Sequence, residues 1–180
     1  VVVGAGLFAG ASGAAWGSAV FGAGLLGLAL WLFRQDIARR TVRGQGLTRF
    51  IAVCLLAGYA WLALGGGLLL GGAGTAPGSP AHDAALHAVT LGFIFSMVFG
   101  HAPIILPSVT RLAFPYHWAF YVPFVLLQVS LVVRVAGDAA GRFDWTRAGG
   151  LLNALALAAF VLGAVMAVIR GRLAARRTLP

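Results

Sequence analysis

Apolar residues fill five stretches of bilayer length, and nearly all the charge falls in the short connections between them. A helix rises about 1.5 Å per residue, so a hydrocarbon layer about 30 Å thick requires about 20 consecutive apolar residues. The runs at roughly residues 10–33, 50–72, 83–109, 116–137 and 148–169 meet that length. They predict an all-α, polytopic transmembrane helix bundle of about five spans, with residues 1–180 as a single transmembrane helical domain. The chain opens on VVVGAGLFAG with no initiator Met, as a processed or partial form would. Its first run has no basic segment before it and arginines after it, so it reads as a span and not as a signal peptide. Gly6, Gly10, Gly13, Gly17, Gly24 and Gly27 recur at helical spacing. That stripe predicts a packing face within the subunit, in preference to a dimer seam.

The connections alternate in charge. RQDIARRTVRGQGLTR (34–49) holds five arginines and one aspartate, GGAGTAPGSPAHD (71–83) holds no arginine, RLAFPYHW (111–118) holds Arg111, GDAAGRFDWTR (137–147) is mixed, and RGRLAARRTLP (170–180) holds four arginines. By the positive-inside rule this places the N-terminus outside and the C-terminus in the cytoplasm, and the expected location is a prokaryotic cytoplasmic membrane. Asp83 can cap the third span, and Pro103 and Pro107 should kink or break its last turns, because each removes an N–H and crowds the carbonyl four residues earlier. Arg134 and Asp138, four residues apart, can pair.

Composition narrows the class. The chain is 61% hydrophobic and 9% charged, with a mean hydropathy of +0.95, which excludes a soluble core and makes the lipid bilayer the first partner. All thirteen basic residues are Arg, and Lys and Glu are absent. The net charge of +9 does not imply a nucleic-acid partner, because the arginines flank apolar runs and meet lipid headgroups there. Cys54 is the single cysteine, so neither an internal disulfide nor a cysteine zinc site can form.

Against this background the third run, SPAHDAALHAVTLGFIFSMVFGHAPIILP (79–107), stands out for holding three of the four histidines. His87 and His101 are fourteen residues apart. In a regular α-helix fourteen steps fall about 40° short of whole turns, which puts both rings on one face about 21 Å apart along the axis. Ionisable groups inside spans are rare and usually functional. The alternative is a polar pair bonded across helices to Ser96, Thr90, Gln128 or Asn153. An imidazole suits heme iron, copper or zinc. With no thiolate nearby and Asp83 the only carboxylate close to the histidines, heme b, one or two per chain, is the expected cofactor, and copper is the other candidate. His117 can join His101 on an inner heme, and His82 reads as a headgroup anchor. Arg134 and Arg111 lie at depths suited to propionates. Tyr59, Trp61, Tyr116 and Trp118 read as interface residues or porphyrin walls.

The His87-x13-His101 spacing resembles that of transmembrane b-type cytochromes, in which two helices each offer two histidines and stacked hemes bridge the bilayer. No second helix here carries a matching pair, and a second subunit could supply the missing partner. HAVTLGFIFSMVFGHAPIILPSV (87–109) also resembles the His-x4-Gly-Phe segment, followed by a second Gly and a Leu-Pro, of short relatives of heme-copper oxidase subunit I and of NnrS-like heme and copper membrane proteins. This resemblance covers about 25 of the 180 residues. It implies that His87 is a heme ligand and that Gly92 and Gly100 give close approach to a porphyrin or a neighbouring helix. The chain lacks the adjacent histidine pair and the His-x-x-x-Tyr helix of the oxidase copper centre, which argues against oxygen reduction by this chain alone.

The expectation is a heme-binding membrane subunit for transmembrane electron transfer within a respiratory or related redox complex. Its partners would be other redox subunits or a second copy of the chain, with a quinone or a cytochrome exchanging electrons. The alternatives are a gas-binding heme or copper membrane protein, for nitric oxide or oxygen, and a cofactor-free subunit or transporter.

Overall fold

The computed structural model describes residues 4, 16–110 and 116–177. Arg111, and Gly6, Gly10 and Gly13 of the glycine stripe, lie outside them. The elements in chain order are α1 (Gly17–Gln35), a short α2 (Ala38–Thr41), α3 (Gly46–Leu70), a 3-10 turn (Ala73–Thr75), α4 (Pro80–His87), a π turn (Ala88–Ile94), α5 (Phe95–Thr110), a 3-10 turn (Trp118–Phe120), α6 (Tyr121–Ala139) and α7 (Phe143–Arg177). Among the described residues there is no strand. Five helices are long and apolar enough to cross a membrane: Gly17–Gln35, Gly46–Leu70, Pro80–Val109, Trp118–Ala139 and Phe143–Arg172. The protein is an all-α, multi-pass helical bundle, and α4, the π turn and α5 together make its third span.

Several local expectations are revised. Asp83 does not cap the third span. Ser79 does, accepting the His82 N–H at 3.2 Å with Pro80 at the first helical position. Proline fits there because that N–H has no intrahelical partner to lose. Helix α5 runs through both Pro103 and Pro107 without ending. Its irregularity lies upstream, in the π turn, where the Phe95 N–H reaches the Thr90 carbonyl five residues back.

That turn changes the direction of everything beyond it. A π insertion adds one residue to a helical turn and delays the phase by about 100°. His87 and His101 therefore stand about 140° apart around the axis, where a regular helix would put them about 40° apart. The contacts agree with this phase. Phe99, almost in line below His87, stacks on Phe160 of α7 at 3.9 Å between centroids and touches Phe124 of α6. Met97, one turn above His101, reaches Gly58 of α3. His87 thus belongs to the face turned toward the fourth and fifth spans, and His101 to the side of the second.

Small residues let the spans approach. A Cβ added at Gly22 would lie 2.5 Å from the Leu70 nitrogen, and one at Gly66 would lie 2.7 Å from the Leu26 nitrogen, so α1 and α3 meet backbone to backbone. Gly22 was not part of the predicted stripe. Gly17 is buried, but Gly27 is exposed and a Cβ there would meet nothing within 4 Å. The seam follows Gly22, Leu25 and Ala29, which are all buried, at the three- and four-residue spacing of one helix face. Gly66→Val should lower the melting temperature of the purified protein, because backbone cannot retreat from the added side chain. The cost expected for overpacking is about 1–3 kcal/mol. Gly27→Leu, tested in parallel, should melt as the wild type does.

Candidate functional site

Both span histidines are held in the same way. His87 Nδ1 lies 2.8 Å from the Asp83 carbonyl, and His101 Nδ1 lies 2.8 Å from the Met97 carbonyl. A carbonyl oxygen can only accept, so the proton sits on Nδ1 and Nε2 carries the free lone pair. Among the described residues neither Nε2 makes a hydrogen bond. This anchoring is the one that metal-bound imidazoles use: the second nitrogen fixes the ring and leaves Nε2 as the donor atom.

Cross-helix hydrogen bonding does not account for these rings. Thr90 returns its hydroxyl to the Leu86 carbonyl. Gln128 accepts from Trp61 Nε1 at 2.7 Å and donates to Ser96 at 3.1 Å, while Ser130 bonds Asn153. None of the four polar residues that could have paired with the histidines bonds them, although Asn153 Nδ2 is buried without a hydrogen-bond partner among the described residues. Trp61 belongs to this mid-bundle link of the second, third and fourth spans and is not an interfacial residue. Gly92 makes the link fit, because a Cβ there would lie 2.5 Å from the indole. Gly100 faces Cys54 and Leu55. Both glycines therefore serve helix approach, and neither opens onto space for a porphyrin. Tyr59 is likewise inside, 2% exposed, donating to Asp36 at 2.6 Å and tying the α1–α2 connection to α3.

His117 stands apart from His101. Its Nδ1 accepts the Ala119 N–H at 3.1 Å and caps the 3-10 turn. The neutral ring then carries its proton on Nε2, the reverse of the tautomer in His87 and His101. His117 lines an apolar cavity of about 510 Å³ between the start of the fourth span and the far half of the fifth. His101 does not line it.

Arg134 has a partner that sequence spacing did not indicate. Its Nε and Nη2 donate to Asp83 Oδ2 at 3.1 and 2.8 Å, and Asp138 instead accepts from Thr146 at 2.9 Å. The guanidinium passes Gly150 of α7, where a Cβ would come within 2.9 Å of Nη1. A tertiary partner prevails over the i,i+4 neighbour because the third span presents a carboxylate at the same depth. Asp83 also lies 3.4 Å from His87 Nδ1 through Oδ1, so one carboxylate joins the candidate ligand to the arginine. Two buried atoms near this end, His82 Nδ1 and Asp138 Oδ2, have no hydrogen-bond partner.

As a test of fit, the geometry suits single imidazole ligands and does not assemble a larger set. Among the described residues no group of three or more His, Cys, Asp or Glu comes together around a metal-sized point. The His87 side chain is 25% exposed, so its ring is not sealed inside the bundle.

No curated protein and no solved structure matches the chain. Residues 1–169 match the family model described as "Domain of unknown function (DUF8744)", and with nearly its whole length covered the chain belongs to that family.

Proposed function

We propose that this protein is a membrane subunit that holds b-type heme through His87, with His101 as a second ligand position, and passes electrons across the bilayer within a larger redox assembly. The observation that carries the reading is the shared geometry of the two rings, each locked by Nδ1 to the carbonyl four residues earlier with Nε2 left free. A structural histidine in an apolar span would be expected to satisfy both nitrogens. Bound heme would supply one-electron chemistry. The chain's own residues would orient the imidazole, with Asp83 at 3.4 Å from Nδ1 raising its donor strength. The arginine-rich connections support an orientation with the N-terminus outside and the Arg34–Arg49 end at the cytoplasmic face.

A second reading is a five-coordinate, gas-binding heme. It is favoured by His117, whose Nδ1 is occupied by the Ala119 N–H, so that its neutral ring offers no bare nitrogen for a second axial bond. An absorption spectrum of the purified, reduced protein tests both readings. A split b-type α/β pattern unchanged by carbon monoxide is expected for electron transfer. A shifted Soret band with carbon monoxide would mean an open axial position, and a protein without visible absorption would end both readings.

A further inference from the structure

We infer that the groove between the fourth and fifth spans is a binding site for one anionic phospholipid, a role separate from the heme reading. Its floor is apolar, formed by Pro123, Ala159, Gly163 and Met166, and its rim carries His117 and Arg170. At about 510 Å³ it falls within the range of small-molecule sites, about 300–1,000 Å³. The rim chemistry selects the ligand. Arg170 offers only donors. His117, with Nδ1 accepting the Ala119 N–H, presents Nε2–H as a further donor. Among the described residues no Asp or Glu lines the groove, so its polar end favours an acceptor-rich, negatively charged group.

The rest of the site selects an amphiphile. Met166 of the floor and Val122 beside it are exposed on the outer surface of apolar spans, where lipid chains run. Arg49 lies beside Tyr116 and Tyr121 at the same end of the bundle, and Arg172 follows Arg170, so the surrounding potential is positive. A phosphate at the rim with one acyl chain along the floor satisfies both halves of the groove. Gly163 supplies the clearance: a Cβ built there meets nothing within 4 Å.

Native mass spectrometry of the full chain in detergent, titrated with phosphatidylglycerol or phosphatidylcholine, tests the assignment. One phosphatidylglycerol should bind at least tenfold more tightly than phosphatidylcholine. Arg170→Gln should weaken phosphatidylglycerol about fivefold, the usual weight of one juxtamembrane arginine, whereas Arg172→Gln, outside the groove, should change it less. Gly163→Leu should fill the groove and remove the bound lipid while leaving the melting temperature unchanged, because the new side chain enters open space. Equal binding of the two lipids would overturn the assignment. So would phosphatidylglycerol binding that survives Gly163→Leu in a normally folded protein, or a copurifying quinone displaced by that substitution.

Discussion

His87→Ala should reduce heme per mole of protein, measured as pyridine hemochrome, by at least about tenfold in whatever fraction that residue holds. Loss of a supporting partner alone typically costs a bound metal 10–100-fold in affinity, and loss of the ligand atom costs no less. The protein should still reach the membrane, because removing one imidazole makes the span more apolar. His82→Ala should retain the heme, since its ring, unlike those of His87 and His101, is not locked through Nδ1 to the carbonyl four residues earlier. The π turn sharpens the expectation for His101→Ala. Rings about 140° apart on one helix cannot share a heme plane, so the two variants should lose separate populations and the double variant the sum. Equal heme in wild type and His87→Ala would remove the basis for the proposed function.

The second large effect should come from Arg134→Leu. This substitution leaves Asp83 without its two donors, beside an Asp138 whose Oδ2 already has no partner. Breaking a fully buried pair costs about 3–5 kcal/mol. With side-chain exposures of 17% for Arg134 and 34% for Asp83, solvent screening reduces that to about 1–3 kcal/mol. A drop of roughly 3–10 °C in the melting temperature of the detergent-purified protein is expected. Adding Asp83→Leu should recover part of the loss, because the stranded charge goes with it. A double variant that melts lower than Arg134→Leu would mean that Asp83 is held chiefly by His87 and not by the arginine.

The five spans were legible because bilayer length and hydrophobicity are properties of contiguous sequence, and the expected runs overlap all five observed helices. What failed to show was whatever depends on a neighbouring helix. The π turn has no local signature: the stretch AVTLGFI reads as ordinary apolar helix, and only Trp61 lying against Gly92 distinguishes its surroundings. The Arg134 partner was sought at Asp138 by helical spacing and found across the bundle at Asp83. Gln128 and Ser96, read in the sequence as possible partners of the span histidines, instead bond one another and Trp61, a residue that reads as an interface or porphyrin-wall residue in the sequence. The tautomer of His117 follows from a backbone N–H two residues on, a capping role that a search for metal ligands passes over.

Each span packs chiefly on its neighbours in sequence: α1 on α3, α3 on the third span, the third span on α6, and α6 on α7. Such an order suits a chain inserted from its N-terminus during synthesis. As each helix leaves the ribosome, the surface it will cover has already been laid down, and no span needs to wait for a distant one before it can be buried. Close sequence neighbours also keep loop closure inexpensive in entropy. The exception is the Phe99–Phe160 stack between the third and fifth spans, which can close only when the last helix arrives. This long-range contact then acts as the final clasp of assembly, and a chain cut off before the fifth span would lack the Phe160 half of it.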